Sequence, residues 1–167
     1  MSDAKLTINK LAILSTKTIL GYMVFLLSFF AIPAYKEAKA LLTEKLNRPP
    51  EARIVIAETS IAAIVADTEE TRELGLSGTD SLAAQRGMFF IFDAPDYHGI
   101  WMKDMNFAID VIWLSESKEV IHIEQGITPK TYPEIFSPSR KALYILEVNA
   151  GFVKKTGIKI GDLAVIL

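Results

Sequence analysis

From residue 52 onward the sequence predicts a mainly β fold, a compact β-sandwich or partly open barrel with two short helices, preceded by one N-terminal transmembrane helix. Three observations lead there. Short apolar runs of strand length recur between turn-forming residues from Ala52 to Leu167. One run, from Thr18 to Tyr35, passes 18 residues without a charge. The formal net charge of −2 is also unevenly divided: residues 1–50 carry seven Lys/Arg and three acids, while residues 51–167 carry eleven and seventeen. The chain is therefore a basic arm of net +4 joined to an acidic domain of net −6.

Residues 1–17 form a short basic tail with Lys5, Lys10 and Lys17. Residues 18–35 would rise about 27 Å as a helix, close to the hydrocarbon thickness of a bilayer. Lys17 and Lys36 bracket this run, and Tyr22 and Tyr35 suit an interfacial belt. Two readings stay open for it. It is either an uncleaved anchor or the apolar region of a signal peptide cut near Ala38-Lys39-Ala40, which would release a secreted chain. The basic tail marks the inside flank, which places the C-terminal domain outside the cytoplasm. Residues 36–51 read as a juxtamembrane helix of good formers closed by Asn47-Arg48-Pro49-Pro50, since paired prolines cannot continue a helix.

The domain, residues 52–167, opens with a hairpin of residues 53–57 and 61–66 around Glu58-Thr59-Ser60. Asp67 stands three residues before Glu70 and is expected to cap a short helix reaching about Leu76, with Gly75 and Gly78 punctuating the loop beyond. Met88-Phe89-Phe90-Ile91-Phe92 is a continuous apolar run, hence a strand covered on both faces. Further strands are expected at residues 109–114, 120–124, 142–148 and 163–167, with a second short helix over 149–156 ended by Gly157.

Taken in order, several segments resemble one family. They are Arg72-Glu73-Leu74-Gly75-Leu76, Gly87-Met88-Phe89-Phe90-Ile91-Phe92-Asp93, Trp101-Met102-Lys103 and Ile109-Asp110-Val111-Ile112-Trp113, followed by Leu146-Glu147-Val148-Asn149-Ala150-Gly151 and Gly157-Ile158-Lys159-Ile160-Gly161-Asp162. Together they are similar to the domain of unknown function 192 family, also called uncharacterised protein family 0127, across essentially all of residues 52–167. The resemblance implies a compact, mainly β fold, often behind an N-terminal signal or anchor. It brings no established activity and so no catalytic residues. Two departures stand out: Ser77 and Thr79 where the family usually has Met and Arg, and Asp104-Met105 where it usually has Asn-Thr.

Composition excludes some chemistry. Without cysteine there are no disulfides, thiolate nucleophiles or thiolate metal sites. The acidic domain argues against nucleic acid as a partner. Nucleophile-elbow, paired-histidine zinc, phosphate-loop and dinucleotide signatures are all missing, so no cofactor is assigned and enzymatic activity is left open. Asp110 and Glu147 each share a strand face with apolar residues, where a carboxylate must be paired, hydrogen-bonded or protonated. As a pair they are the candidate catalytic residues of an envelope hydrolase. Alternatively, each satisfies a loop backbone or pairs with Arg72, Arg86 or Lys103. Trp101, Met102, Lys103 and Arg72 are the candidate ligand-binding residues, Trp for stacking and Lys for pairing with an anion. Met88, Met102 and Met105 with His98 and His122 would suit Cu(I) chemically, yet Met mostly fills β cores, and no metal is assigned. The leading expectation is an anchored domain that binds a small molecule, glycan or envelope protein; a structural or assembly module is the remaining alternative.

Overall fold

The computed structural model describes residues 33–43 and 48–167. The chain divides into two units, Met1–Arg48 and Pro49–Leu167. In the first, residues 33–43 are helical (α1) and exposed throughout, as the good helix formers Glu37, Ala38, Lys39 and Ala40 favour. Residues 18–32, most of the uncharged run, lie outside the described residues. Among the described residues no helix is long and apolar enough to cross a membrane.

The second unit is one seven-stranded sheet in the order β5-β4-β6-β3-β2-β1-β7. Strands β1 (Glu51–Ile56) and β2 (Thr59–Ala66) form the expected hairpin. Its two turn residues, Ala57 and Glu58, have φ of 47° and 64°. Paired left-handed residues give the turn a twist that matches the strands it joins. Helix α2 (Glu69–Leu74) is capped by Thr68 rather than Asp67. The Thr71 N–H donates to Thr68 Oγ1 at 3.2 Å and the Thr68 N–H donates to Thr71 Oγ1 at 3.0 Å, so two otherwise orphaned amides are satisfied reciprocally.

α2 lies in the crossover that lets β3 (Arg86–Asp96) run parallel to β2. The remaining strands are β4 (Ile109–Leu114), β5 (Val120–Ile127), β6 (Ala142–Asn149) and β7 (Ala164–Ile166). A 3-10 turn at Pro129–Thr131 follows β5, and helix α3 (Phe152–Thr156) follows β6.

The sheet curls until its edges meet at one end. The Val120 N–H donates to Asp162 O at 2.8 Å, the Gly161 N–H to Val120 O at 2.9 Å and the Ala164 N–H to Lys118 O at 2.9 Å, while β7 pairs with β1. This is a half-barrel built from one sheet. It corresponds to the partly open barrel; the sandwich expectation fails because among the described residues no second sheet is packed on the first.

Both faces of the sheet are covered, which explains why β4 is buried along its whole length. One face carries Ile54, Ile61, Phe89, Ile112, Leu146 and Val148, closed over by Phe152 and Val153 of α3. The other carries Met88, Phe90, Val111, Trp113 and Ile145, packed beneath Leu76, Ile100 and Met102 from the connecting loops. Gly87 is required where β3 meets β6. A Cβ there would stand 2.8 Å from the Glu147 carbonyl oxygen and 3.1 Å from Leu146 Cδ1.

Candidate functional site

Register decides where the two candidate carboxyls go. Asp110 pairs with Val148, and Val111 pairs with Glu147. Directly paired residues point the same way and successive residues alternate, so Asp110 and Glu147 project from opposite faces of the sheet. They do not share a site, and a hydrolytic carboxylate pair has no geometric basis.

Asp110 is fully buried and spends both oxygens on backbone. Oδ1 accepts from the Gly126 N–H at 2.8 Å and Oδ2 from the Val153 N–H at 3.0 Å. The first amide lies at a register shift between β4 and β5, where an extra residue on β5 leaves the ladder. The second belongs to the first turn of α3, whose N-cap is Gly151 and has no side chain to offer. Asp110 thus does the capping that Gly151 cannot, and it is the loop-backbone alternative that describes this residue. Nearby, Asn149 Nδ2 donates to Leu82 O at 2.8 Å and Ala83 O at 3.1 Å, tying the end of β6 to the loop before β3.

Glu147 is different. It is only 4% exposed, and its Oε2 has no hydrogen-bond partner among the described residues. Its cross-strand neighbours are Met88 and Val111, both apolar. Burial pushes the Glu147 carboxyl up to about 8, because apolar surroundings penalise the charged form. At neutral pH it is mostly a neutral acid.

Above Glu147 lies a cleft of about 60 Å³, lined on one side by Arg72 to Ser77 and on the other by Gly99, Ile100, Trp101 and Met105, with Phe90 beside Glu147 at its floor. Hydrogen bonds hold the two walls together. Ser77 Oγ donates to Lys103 O at 2.9 Å, the Gly78 N–H to Asp104 O at 2.8 Å and Asn106 Nδ2 to Thr79 O at 3.1 Å. Ile100 exchanges two backbone hydrogen bonds with Phe136, each of 2.9 Å, and Trp113 Nε1 donates to His98 O at 2.9 Å. The second wall is thereby fixed on the sheet.

The four candidate binding residues separate. Arg72 and Trp101 line the cleft with Glu147. Arg72 also straps α2 to β3: Nη1 donates to Asp67 O at 2.7 Å and Ile91 O at 2.8 Å, and the guanidinium lies 5.3 Å over the Phe92 ring. Trp101 is 43% exposed, with the Tyr132 ring 5.9 Å away. Lys103 lies beside the cleft, its ammonium 5.5 Å from the Trp101 ring centre. Met102 is buried in the core beneath. Sequence reasoning did not single out Glu73, Leu76, Ser77, Phe90, Ile100 and Met105 as lining residues. A signal existed for two of them, because Ser77 and Met105 belong to the departures from the family pattern.

The copper-type set is engaged elsewhere. Met88 and Met102 are core residues, the His98 ring stacks on Phe92 at 3.6 Å, and His122 Nε2 lies 3.1 Å from Glu124 Oε1. Among the described residues no cluster of three or more His, Asp or Glu is placed to hold a metal ion. A wider, open depression of about 680 Å³ beside the β1–β2 hairpin is lined by Arg53, Glu58, Gln85 and Arg86 and has no buried polar group.

Fold and site together define a curled-sheet β domain with a small cleft over a buried acid. The chain belongs to the domain of unknown function 192 family, described as uncharacterized ACR, whose model matches residues 52–166. No curated protein matches the chain. Among solved structures, it is similar to a protein from Sinorhizobium meliloti 1021 described as a proposed transcription regulator, at 25% identity and a TM-score of 0.65, covering 70% of this chain and 92% of that one. It is also similar in fold to a protein of unknown function from Novosphingobium aromaticivorans DSM 12444, at 23% identity and a TM-score of 0.62, covering 69% of this chain and 83% of that one.

Proposed function

We propose that this protein is a membrane-anchored, extracytoplasmic binding domain, and that the cleft over Glu147 takes a small polar ligand or the polar end of a larger one. The observation that carries this reading is that Glu147, whose buried Oε2 has no partner among the described residues, is one of the residues lining a cleft with Trp101 and Arg72. Leaving a buried polar atom unsatisfied costs about 1–3 kcal/mol, and a ligand donor or acceptor there would recover it. The uncharged run of residues 18–35, bracketed by Lys17 and Lys36, supports the anchor. The regulator description of the Sinorhizobium relative is not transferred, since the net −6 of residues 51–167 repels a phosphate backbone.

Titration of the full chain with cell-envelope sugars, short peptides and small amines, followed by tryptophan fluorescence, should give a saturable change for one class. Ser77→Phe, which fills the cleft mouth, should abolish it. If no class perturbs the folded protein, the binding reading fails. Fractionation with sizing of the mature chain tests the anchor: retention at full length supports it, and a soluble chain beginning near Ala40 supports secretion instead.

A further inference from the structure

We infer that the cleft selects an ammonium group, taking the end of an unbranched primary amine with its nitrogen against the Glu147 carboxyl and its methylenes between Leu76, Phe90 and Trp101. This rests on the reading of the cleft as a binding site and names its ligand class. Oε2 of Glu147 has no partner among the described residues, and an ammonium would bring three donors together with the charge that compensates a carboxylate. The walls suit a cation. Phe90 and Trp101 offer aromatic rings, and the Trp101 indole already attracts the Lys103 ammonium at 5.5 Å.

Charge around the cleft is mixed, and what matters is which groups are already engaged. Arg72 and Glu73 of α2 are the charged residues lining the cleft with Glu147. Arg72 is committed through Nη1 to two backbone carbonyls with Nη2 3.7 Å from Asp93 Oδ2, and the Lys103 ammonium beside the cleft faces the Trp101 ring, so neither cation is paired with Glu147. From β3 and β4 the neighbours are Met88, Phe90 and Val111, and from the facing loop Ile100, Trp101 and Met105; none of these titrates. Size narrows the class further. A volume of about 60 Å³ favours a narrow chain end, a terminal methylene and ammonium, over a sugar ring or a quaternary ammonium.

Filling the site ionises Glu147. The neutral acid gives its proton to solvent, and the carboxylate pairs with the ammonium, which keeps all its own protons. With the acid at about 8, loading at pH 7 should release about 0.9 proton per amine.

The test is calorimetry on the full chain with n-butylamine and Nα-acetyl-lysine methylamide at pH 6, 7 and 8, in buffers of different ionisation enthalpy. Expected are proton release near that value and affinity about tenfold weaker at pH 6 than at pH 7, both lost in Glu147→Gln. Tetramethylammonium and glucose should not bind. Tighter binding of butylamine would identify a free amine as the source, and tighter binding of the lysine derivative a protein side chain. Amine binding without proton release, or a ligand that binds more tightly as pH falls, would overturn the ammonium assignment and leave the cleft a binding site. If the amines fail to bind while a sugar or peptide binds, the ammonium assignment falls and the cleft remains a binding site; if amines, sugars and peptides all fail to bind the folded wild-type chain, both readings fall.

Discussion

Replacing Glu147 by Gln should stabilise the protein, increasingly so as pH rises. The wild-type carboxyl has an ordinary value of 4.5 in the unfolded chain and about 8 in the folded one. Between these values the folded state holds a proton that the unfolded state has lost, so folding stability falls as pH rises, by about 1.4 kcal/mol per unit. The contribution is fully present below 4.5 and is lost on passing 8. Integrated from pH 5 to pH 8, the loss is about 3–4 kcal/mol, a large share of a typical domain's 5–15 kcal/mol. Glutamine resembles the neutral acid in shape and does not titrate. The stability of Glu147→Gln minus that of wild type should therefore climb by that amount over this interval, while other carboxylates cancel in the difference.

Urea unfolding at pH 5, 6, 7 and 8 measures it. Both tryptophans, Trp101 and Trp113, lie in the β domain, so fluorescence reports on that unit alone. Parallel curves would show that Glu147 titrates alike in both states and would refute its burial as a neutral acid. A difference of opposite slope would mean that the folded protein stabilises the carboxylate.

Two further outcomes follow from the packing. Asp110→Ala should destabilise the domain by about 3–5 kcal/mol in urea unfolding, since it orphans the buried Val153 amide and the Gly126 amide together. Asp110→Asn should cost less, because one amide oxygen can still accept from one of the two; equal losses would refute the dual-cap role. Gly87→Ala places a methyl 2.8 Å from the backbone oxygen of Glu147, where neither strand can yield without breaking the β3–β6 ladder. A lowered thermal midpoint, worth about 1–3 kcal/mol, is expected, and an unchanged midpoint would show that the two strands separate freely there.

Much of the architecture is legible in the chain. Apolar runs with turn residues between them place all seven strands, because burying one or both faces of a strand imposes alternation or continuity on the sequence. The ends were less legible. Asp67 looked like the cap of α2, but Thr68 takes the position because its hydroxyl and that of Thr71 can satisfy each other's backbone amides, a pairing invisible to a search for an acid. The candidate site was half legible. Alternation along β4 and β6 showed that Asp110 and Glu147 each sit among apolar residues, and the same signal served two unlike roles.

What separated those roles is pairing between distant segments. The register that sets Val111 against Glu147 and Asp110 against Val148 sends the two side chains to opposite faces. A shift of one residue would have put them on the same face. One carboxyl then met the amides of Gly126 and Val153, and the other met Met88 and Val111 with nothing to bond. The sequence by itself determined the strands, the acidic domain behind a basic arm, the family and the two apolar-face acids, because each follows from local composition or order along the chain. Only the tertiary structure decided that the sheet curls alone rather than stacking as a sandwich, and that Arg72, Trp101 and Glu147 converge on one cleft while Asp110 does not. Those outcomes depend on which strands pair and in which register, a choice made by contacts that local sequence does not encode.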